Sequence, residues 1–354
     1  MYFYAYAASQ LPTGILLDSL GLALYGSIGF AIAAIGSLIV AFAPTITLVL
    51  VGRFLIGFGC GAAFISTQKF IARYLPLRLS AIATGAVLVI GNVGSLYAQY
   101  PMVFMAKSLG VRVALAHLAL YLGIPALMLP ILIGKDGEGS FSERLRETLR
   151  SIPKIARDKH TIGVLLSMAL AYSTILLLQV IVLRDFLIDK LGLSIARASM
   201  LATAFSLGLM TGQLTVGILS DRVVKARKPF AAATHAALSI SALYLLTQPG
   251  SETEAVLVAL LMGLGAAGQM VTVPMAREPW PPSLAASSFS IANMSTFVAA
   301  ALLQNAAPYI LRGGHTRWNY PLVAATMVLL NIVGFFAVVF LTRETAKGSR
   351  RRGS

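Results

Sequence analysis

The sequence predicts an all-α integral membrane protein with eleven membrane-spanning helices. Of its 354 residues, 57% are hydrophobic and only 12% are charged, whereas a soluble chain carries about 25% charged residues. The apolar residues fall into runs of roughly 20, the length that crosses a bilayer as a helix. Glycine, alanine and serine are spread through these runs, which lack the alternation of barrel strands. The chain therefore belongs to the class of polytopic helical membrane proteins.

The predicted spans follow one another with short connections, apart from one long polar stretch near the middle of the chain. They cover residues 2–17, 22–43, 46–67, 79–102, 112–133, 160–183, 198–220, 230–248, 255–276, 284–309 and 321–342. The first is short. Residues 1–134 thus form a bundle of five spans, and residues 160–345 form a bundle of six. Residues 135–159 link them, and 346–354 are a basic tail.

The net charge of +15 is distributed unevenly over the connections between spans. Alternate connections hold 20 of the 28 lysines and arginines, the opposite ones hold seven, and Arg53 alone lies inside a span. By the positive-inside rule the basic connections are cytoplasmic, including the linker and the tail. The charge therefore orients a multi-pass protein in a prokaryotic cytoplasmic membrane and does not indicate nucleic-acid binding.

The linker contains a helical pattern of its own. Phe141, Leu145 and Leu149 recur every four residues among charged side chains, which predicts a short amphipathic helix at the cytoplasmic face. The single cysteine, Cys60, excludes an intramolecular disulfide. We find no His, Cys, Asp and Glu spacing typical of a metal site and no catalytic set of side chains, so the sequence predicts neither an enzyme nor a cofactor.

Two copies of one short pattern suggest an internal repeat. The pattern Gly-Ile-Leu-x-Asp occurs at residues 14–18 and again at 217–221, each time after an apolar run. Residues 57–73 also align with 262–277, with Arg73 over Arg277. The polar order Asn92, Gln99, Pro101 is loosely repeated at Asn293, Gln304, Pro308. Together these matches predict a half-molecule repeat of roughly 200 residues, an architecture that many transporters use.

At these residues the chain resembles the major facilitator superfamily. Its signature loop, Gly-x-x-x-Asp-Arg/Lys-x-Gly with further basic residues, is similar to Gly217, Asp221 and Arg222 with the lysines and arginine that follow. The first copy keeps Gly14, Asp18 and Gly21 but has Ser19 where the basic residue belongs. The family's helix 4 pattern, an arginine followed by closely spaced glycines, is similar to Arg53 with Gly57, Gly59 and Gly61.

The resemblance implies a fold of two helical bundles with twelve helices. The eleven predicted spans would correspond to helices 2–12 of the family. Residues 2–17 would then be helix 2, with helix 1 ahead of Met1. The alternative is a protein of eleven spans whose N-terminus is extracellular. Translation of the DNA upstream of Met1 distinguishes the two.

The resemblance also implies which side chains serve transport. Helices 1, 4, 7 and 10 line the central cavity in this family, and helices 2, 5, 8 and 11 lie beside them. The substrate or coupling candidates are Arg53, Tyr172, Gln179, Gln269 and Thr272, flanked by Gln10, Asn92, Gln213 and Asn293. Each polar residue has an alternative use in hydrogen bonds between helices.

Arg53 is the only charged side chain well inside a predicted span, and a charge there is costly unless it is paired or faces water. One interpretation is structural: the guanidinium bonds to backbone carbonyls and polar groups or extends to the membrane surface. The other is functional: it binds an anionic solute or couples to a group that carries a proton. His117 and His235, isolated in apolar segments, are further candidates for proton coupling.

The resemblance gives the two aspartates a conformational role. Such an aspartate faces the N-terminal end of a helix in the opposite half, helix 11 for Asp18 and helix 5 for Asp221, where the helix dipole favours a carboxylate. The candidate latch residues are therefore Gly14, Asp18, Gly21, Gly217, Asp221 and Arg222. Ser19 predicts a weaker latch at the first copy. Lys69, at the cytoplasmic end of helix 4, is expected to extend towards the membrane surface, and the alternative is that it attracts anions at the inner mouth.

The sequence thus predicts a secondary active transporter that works as a monomer by alternating access, moving a small solute with the help of a proton or solute gradient. Arg53 favours an organic anion as the solute. The alternatives are an exporter of the multidrug type with the same fold and a remnant that does not transport. The partners expected are a small-molecule substrate, the lipid bilayer and protons.

Overall fold

A computed structural model describes residues 2–99, 101–134, 140–312 and 319–346 of the chain. Over these residues the secondary structure is helical throughout, which confirms the predicted fold class. The helices are α1 Tyr2–Leu20, α2 Leu22–Phe42, α3 Ile46–Tyr74, α4 Ser80–Gln99, α5 Pro101–Ser108, α6 Val111–Ile133, α7 Phe141–Arg157, α8 Lys159–Leu176, α9 Leu183–Leu191, α10 Ile195–Ile218, α11 Lys228–Tyr244, α12 Glu252–Ala266, α13 Thr272–Arg277, α14 Ala285–Arg312 and α15 Tyr320–Phe336.

Nine helical segments in the described part of the chain are long and apolar enough to cross a membrane. Two predicted spans fall outside this set. α11 has 17 residues, and α1 carries Gln10, Pro12 and Asp18 among its apolar side chains. The membrane class is confirmed, while the number of eleven spans stays a prediction.

Contacts divide the chain into two units, and each draws one segment from the other half of the sequence. The first unit contains residues 1–75, 90–157 and 280–294. The second contains residues 76–89, 158–279 and 295–354. The beginning of α4 thus belongs to the second unit, and the beginning of α14 belongs to the first. The predicted domain boundaries stay a prediction, and residues 135–139 and most of the basic tail lie outside the described residues.

Glycines allow the helices of the first unit to approach one another closely. A Cβ atom added at Gly36 of α2 would lie 2.8 Å from the backbone oxygen of Gly52 in α3, and one at Gly52 would lie 2.8 Å from that of Gly36. Likewise, a Cβ at Gly29 would lie 3.2 Å from the backbone oxygen of Gly59, and one at Gly59 would overlap the backbone oxygen of Gly29. At Gly94 of α4, by contrast, no described atom lies within 4 Å of such a Cβ.

α7 is the predicted amphipathic helix, and it packs against α1 in the first unit. Its backbone begins with a capping box: the Ser140 N–H donates to Glu143 and the Glu143 N–H donates to the Ser140 hydroxyl. These bonds lower the pKa of Glu143. The buried face holds Thr148 and Ile155, whereas Leu149 is exposed. The helix is therefore rotated from the orientation that the apolar spacing suggested.

A break separates α12 from α13 in the second unit. Residues Ala267–Val271 form a 3₁₀ turn between the two helices, three residues before Pro274. Pro274 has no N–H to bond the carbonyl of Met270, so the chain tightens at this point. Irregular backbone at membrane depth is tolerated where it lies against protein or lines a cavity. The break contains Gln269, one of the predicted substrate residues.

Candidate functional site

Asp18 caps the beginning of α14. Its carboxylate accepts the N–H groups of Ala286, at 3.3 Å, and Ser287, at 2.7 Å. The ammonium of Lys69 lies 3.1 Å from the same carboxylate and donates to the backbone oxygen of Leu17 at 2.5 Å. Asp18 and Lys69 are both buried, so neither charge depends on water for its partners. A carboxylate here satisfies N–H groups that the first turn of a helix leaves without intrahelical partners.

Asp221 makes the corresponding contact in the second unit. Its carboxylate accepts the Ile82 N–H at 2.8 Å, in the first turn of α4. Its other oxygen lies 2.6 Å from the guanidinium of Arg227, which also pairs with Glu278 at 3.1 Å. Burial lowers the pKa of Arg227, but Glu278 and Asp221 raise it more, so this guanidinium stays charged.

The glycine four residues before each aspartate explains the repeated pattern. A Cβ at Gly14 would overlap the Ser290 side chain and lie 2.9 Å from the backbone oxygen of Ala286. A Cβ at Gly217 would lie 3.1 Å from the backbone oxygen of Ala81. Residues i and i+4 share a face of a helix. The glycine therefore brings the two helices close enough for the aspartate to reach the N–H groups.

The basic partners of the two aspartates differ from those that the loop pattern suggested. Ser19 donates to the backbone of its own helix, and Lys69 supplies the positive charge instead of extending to the membrane surface. Arg222 is exposed, and Arg227 takes its predicted place beside Asp221. The reason is geometric: adjacent residues in a helical turn point in different directions, and the turn after Arg222 brings Arg227 back to the carboxylate.

The connections after the two aspartates each contain a residue with positive φ, but the residue type differs. Gly21 has φ of 94°, a conformation in which glycine is favoured, and it joins α1 to α2. The second copy has no glycine there. Lys225 instead has φ of 51°, which costs a residue with a side chain roughly 1–2 kcal/mol.

Arg53 lies on α3, seven residues and about 10 Å from its first residue. Its side chain is exposed, and no described residue forms a hydrogen bond or ion pair with it. Arg73, its nearest arginine on the same helix, is exposed as well and stacks on Tyr74 with 5.6 Å between the guanidinium carbon and the ring centre. Arg53 is thus an uncompensated charge within a segment long enough to span a membrane.

The polar candidates of the first unit include one buried pair. Asn293 donates to the side-chain oxygen of Gln10 at 2.5 Å, and Gln10 donates to the backbone of Tyr6 at 3.0 Å. Gln10 and Asn293 are buried, and both amides make the helix-to-helix bond that was the alternative to substrate contact. Asn92 is half-buried.

The polar candidates of the second unit occupy several environments. Tyr172 is half-buried and meets Phe297 edge to face, with 5.9 Å between ring centres. Gln179 is half-buried and donates to Ser206 at 2.8 Å, and Gln269 is half-buried in the break between α12 and α13. The remaining two, Gln213 and Thr272, are buried.

His235 belongs to a buried network in the second unit. Its Nδ1 lies 2.9 Å from Asn331 Oδ1, and its Nε2 lies 2.9 Å from the Ser167 hydroxyl. The Asn331 amide nitrogen donates to Thr174 at 3.1 Å, so its oxygen must face the imidazole. Nδ1 therefore carries a proton, and the ring is held by three helices.

The other histidines have simpler surroundings. His117 Nε2 lies 3.2 Å from the hydroxyl of Tyr97 in the first unit. His160 bonds to a backbone carbonyl through Nε2 and accepts the Arg343 N–H through Nδ1. His315 lies outside the described residues. Within the described ranges no group of three His, Cys, Asp or Glu side chains could hold a metal ion.

Both units thus contain the carboxylate-to-helix contact that the resemblance to the two-bundle transporters implies. The sequence profile of the Major Facilitator Superfamily matches residues 1–186 and 161–354, so the chain belongs to this family of secondary membrane transporters. The resemblance predicted from the two signature loops is confirmed.

Solved structures share this fold over nearly the whole chain. A crystal structure of the major facilitator transporter FucP in the outward conformation has a TM-score of 0.74 and 16% identity, covering 97% of this chain and 88% of that one. A double tryptophan mutant of XylE has a TM-score of 0.71 and 16% identity, with 97% and 85% covered. A mutant of the E. coli fucose:proton symporter FucP has a TM-score of 0.68 and 15% identity, with 97% and 89% covered. No curated protein matches the chain.

Proposed function

We propose that the chain transports a small organic anion across the cytoplasmic membrane by alternating access, driven by a proton or solute gradient, and that Arg53 binds the anion. Family membership supports the transport class. The observation that supports an anionic substrate is the position of Arg53. Its side chain is exposed on a helix long enough to span a membrane, and no described carboxylate compensates its charge. An intramembrane charge of this kind faces a water-filled path or a bound ion of opposite sign.

Counterflow in proteoliposomes tests this proposal directly. Proteoliposomes that contain the purified protein are loaded with an unlabelled candidate organic acid or phosphate ester. Uptake of the same compound, labelled and added outside, is then measured. Arg53→Ala should reduce counterflow at least tenfold, since an Arg–carboxylate hydrogen bond contributes about 1.5–3 kcal/mol. Arg53→Lys should retain part of it, because an ammonium keeps the charge but loses the bidentate geometry.

A matched control separates anion binding from a general effect of charge. Arg73→Ala removes an exposed arginine from the same helix, and its counterflow should equal that of the parent. Equal transport and equal pH dependence in Arg53→Ala and the parent would show that Arg53 has only a structural role.

A sugar is the second candidate substrate. One structural relative is a fucose:proton symporter by name. The half-buried amides of Gln179 and Gln269 offer the donors and acceptors that hydroxyl groups need. Counterflow of hexoses and not of carboxylates, unaffected by Arg53→Ala, would favour this candidate.

The remaining alternatives have separate tests. Efflux of unrelated lipophilic cations would indicate a multidrug-type exporter. Absence of counterflow by the 354-residue chain, with counterflow restored by the sequence translated from upstream of Met1, would indicate that the shorter form does not transport.

The two acidic turns are proposed to close the cytoplasmic side during each cycle. Each aspartate joins a helix of one sequence half to the first turn of a helix of the other. Opening that side requires these contacts to separate, so they favour the outward-facing state.

A further inference from the structure

A basic cleft lies beside the second acidic turn, within the second unit. It has a volume of ≈ 640 Å³ and is formed by the segment before α4, the turn after α10 and the chain near Ala346. Four cationic side chains line it: Arg78, Arg222, Lys225 and Arg227. Among the described residues of its lining, Asp221 alone has an acidic side chain.

The charges in this cleft do not balance. Asp221 is occupied by Arg227, which lies 2.6 Å away and forms part of the buried contact. Arg78, Arg222 and Lys225 are all exposed, and none has a hydrogen-bond or ion-pair partner among the described residues. Three cations that share one concave surface repel one another, and a bound anion of two or more charges relieves that repulsion.

Two further details indicate a site prepared for a ligand. The Nε–H of Arg227 is buried and has no acceptor among the described atoms, although such groups are almost always paired. Lys225, which lines the cleft, has the left-handed φ of 51°, a costly conformation for a residue with a side chain. Backbone strain of this kind is concentrated at functional positions.

The positive-inside rule does not account for this arrangement. That rule concerns the number of basic residues in a connection and is met wherever they point. Here Arg78 comes from a segment more than 140 residues before Arg222, yet both line the same cleft. By comparison, four basic residues of α7 are exposed along one helix face: Arg146, Arg150, Lys154 and Arg157.

We propose that this cleft binds a phosphate group through Arg78, Arg222 and Lys225, and that the bound phosphate stabilises the Asp221 contact with α4. Guanidinium groups bind phosphate oxygens in pairs, and a lysine adds a point charge. A phosphate held between Arg78 and Arg222 links the segment Leu77–Leu79 to the turn that carries Asp221. The ligand is the head group of an anionic lipid or a soluble phosphate compound, and it acts as an effector separate from the transported solute.

Binding is measured on the purified 354-residue chain with two probes. Pyrophosphate added to protein in neutral detergent represents a soluble ligand. Nanodiscs of phosphatidylcholine with and without phosphatidylglycerol represent a lipid. The readouts are the midpoint of thermal unfolding and the maleimide labelling rate of Ala81→Cys in a Cys60→Ser background, because Ala81 is buried where α4 meets Gly217. The probe that binds should raise the midpoint and slow labelling of this cysteine.

The variants are matched in charge. Arg78→Gln/Arg222→Gln/Lys225→Gln removes the three cleft cations, and Arg146→Gln/Arg150→Gln/Lys154→Gln removes three exposed cations of α7. The cleft variant should bind the effective probe at least tenfold more weakly, while the α7 variant should bind like the parent. The single change Lys225→Gln should give an intermediate loss and guards against misfolding of the triple variant.

The outcomes assign the source or overturn the proposal. A cleft-dependent effect of pyrophosphate alone identifies a soluble phosphate, and one of phosphatidylglycerol alone identifies a lipid. Equal losses in the cleft and α7 variants, or no effect of either probe on the parent, would overturn it. None of these readouts requires transport, so the result is independent of whether Arg53 binds the substrate.

Discussion

Replacing Asp18 by Asn tests whether the first acidic turn holds one side of the transporter closed. In the parent, the Ser287 N–H donates to the charged Asp18 carboxylate at 2.7 Å. Asparagine keeps an oxygen that can accept this N–H but removes the charge. Hydrogen bonds to charged groups contribute about 1.5–3 kcal/mol and those to neutral groups about 0.5–1.5 kcal/mol. The closed state should therefore lose about 1–2 kcal/mol relative to the open state, a factor of about 5–30 in their ratio.

The labelling rate of a buried cysteine reports this ratio. Ser290 is buried against Gly14, so Ser290→Cys in a Cys60→Ser background reacts with a maleimide only when the contact separates. Asp18→Asn should raise the rate by about the same factor of 5–30. Because Lys69 is also left without its carboxylate, the variant should be less stable to heat as well.

Two controls isolate the effect. Asp158→Asn changes an aspartate that caps its own helix by accepting the Thr161 N–H. In this variant the cysteine at position 290 should therefore be labelled as fast as in the parent. Lys69→Gln removes the ion pair but leaves the carboxylate on α14, so it should lower the melting temperature with a smaller effect on labelling. If Asp18→Asn were labelled no faster than Asp158→Asn, the turn would not control access and the reasoning would be wrong.

Substitutions at Gly14, Gly334 and Lys225 probe two close helix contacts and one left-handed turn. Gly14→Ala should accelerate labelling of the same cysteine, because its Cβ would displace α14 from α1. Gly334→Ala should lower stability by about 1–3 kcal/mol in thermal unfolding, since its Cβ would overlap the His235 ring. Gly123→Ala, whose Cβ would have no described atom within 4 Å, should be neutral or stabilising. Lys225→Gly should be more stable than Lys225→Ala by about 1 kcal/mol, because only glycine relieves the left-handed backbone; equal melting temperatures would contradict this.

Composition and periodicity were enough to predict the fold class. Apolar runs of roughly 20 residues leave a chain few alternatives to membrane helices, and the family profile confirms the class. The exact helix ends could not be read in this way. The break at Ala267–Val271 depends on a single missing N–H at Pro274. The orientation of α7 depends on its packing against α1, which leaves Thr148 and Ile155 buried.

The acidic turns show where a linear pattern stops being informative. Glycine and aspartate four residues apart could be recognised because both lie on one helix face. The basic partners could not, because Lys69 lies 51 residues from Asp18 and Arg227 follows a turn whose path depends on Lys225. The only signal for Lys69 was a charged residue near the end of an apolar run, which an interfacial lysine also gives.

The pairing of Asp18 with Lys69 has a consequence for how this family's sequences vary. The positive charge that other members place next to the aspartate is here supplied by the neighbouring helix, while position 19 has become a serine that bonds its own backbone. Across the family, a positive charge is therefore expected at position 19 or at position 69. Relatives with arginine or lysine at position 19 should be free to lose the lysine at 69, and relatives with a small residue at 19 should keep it.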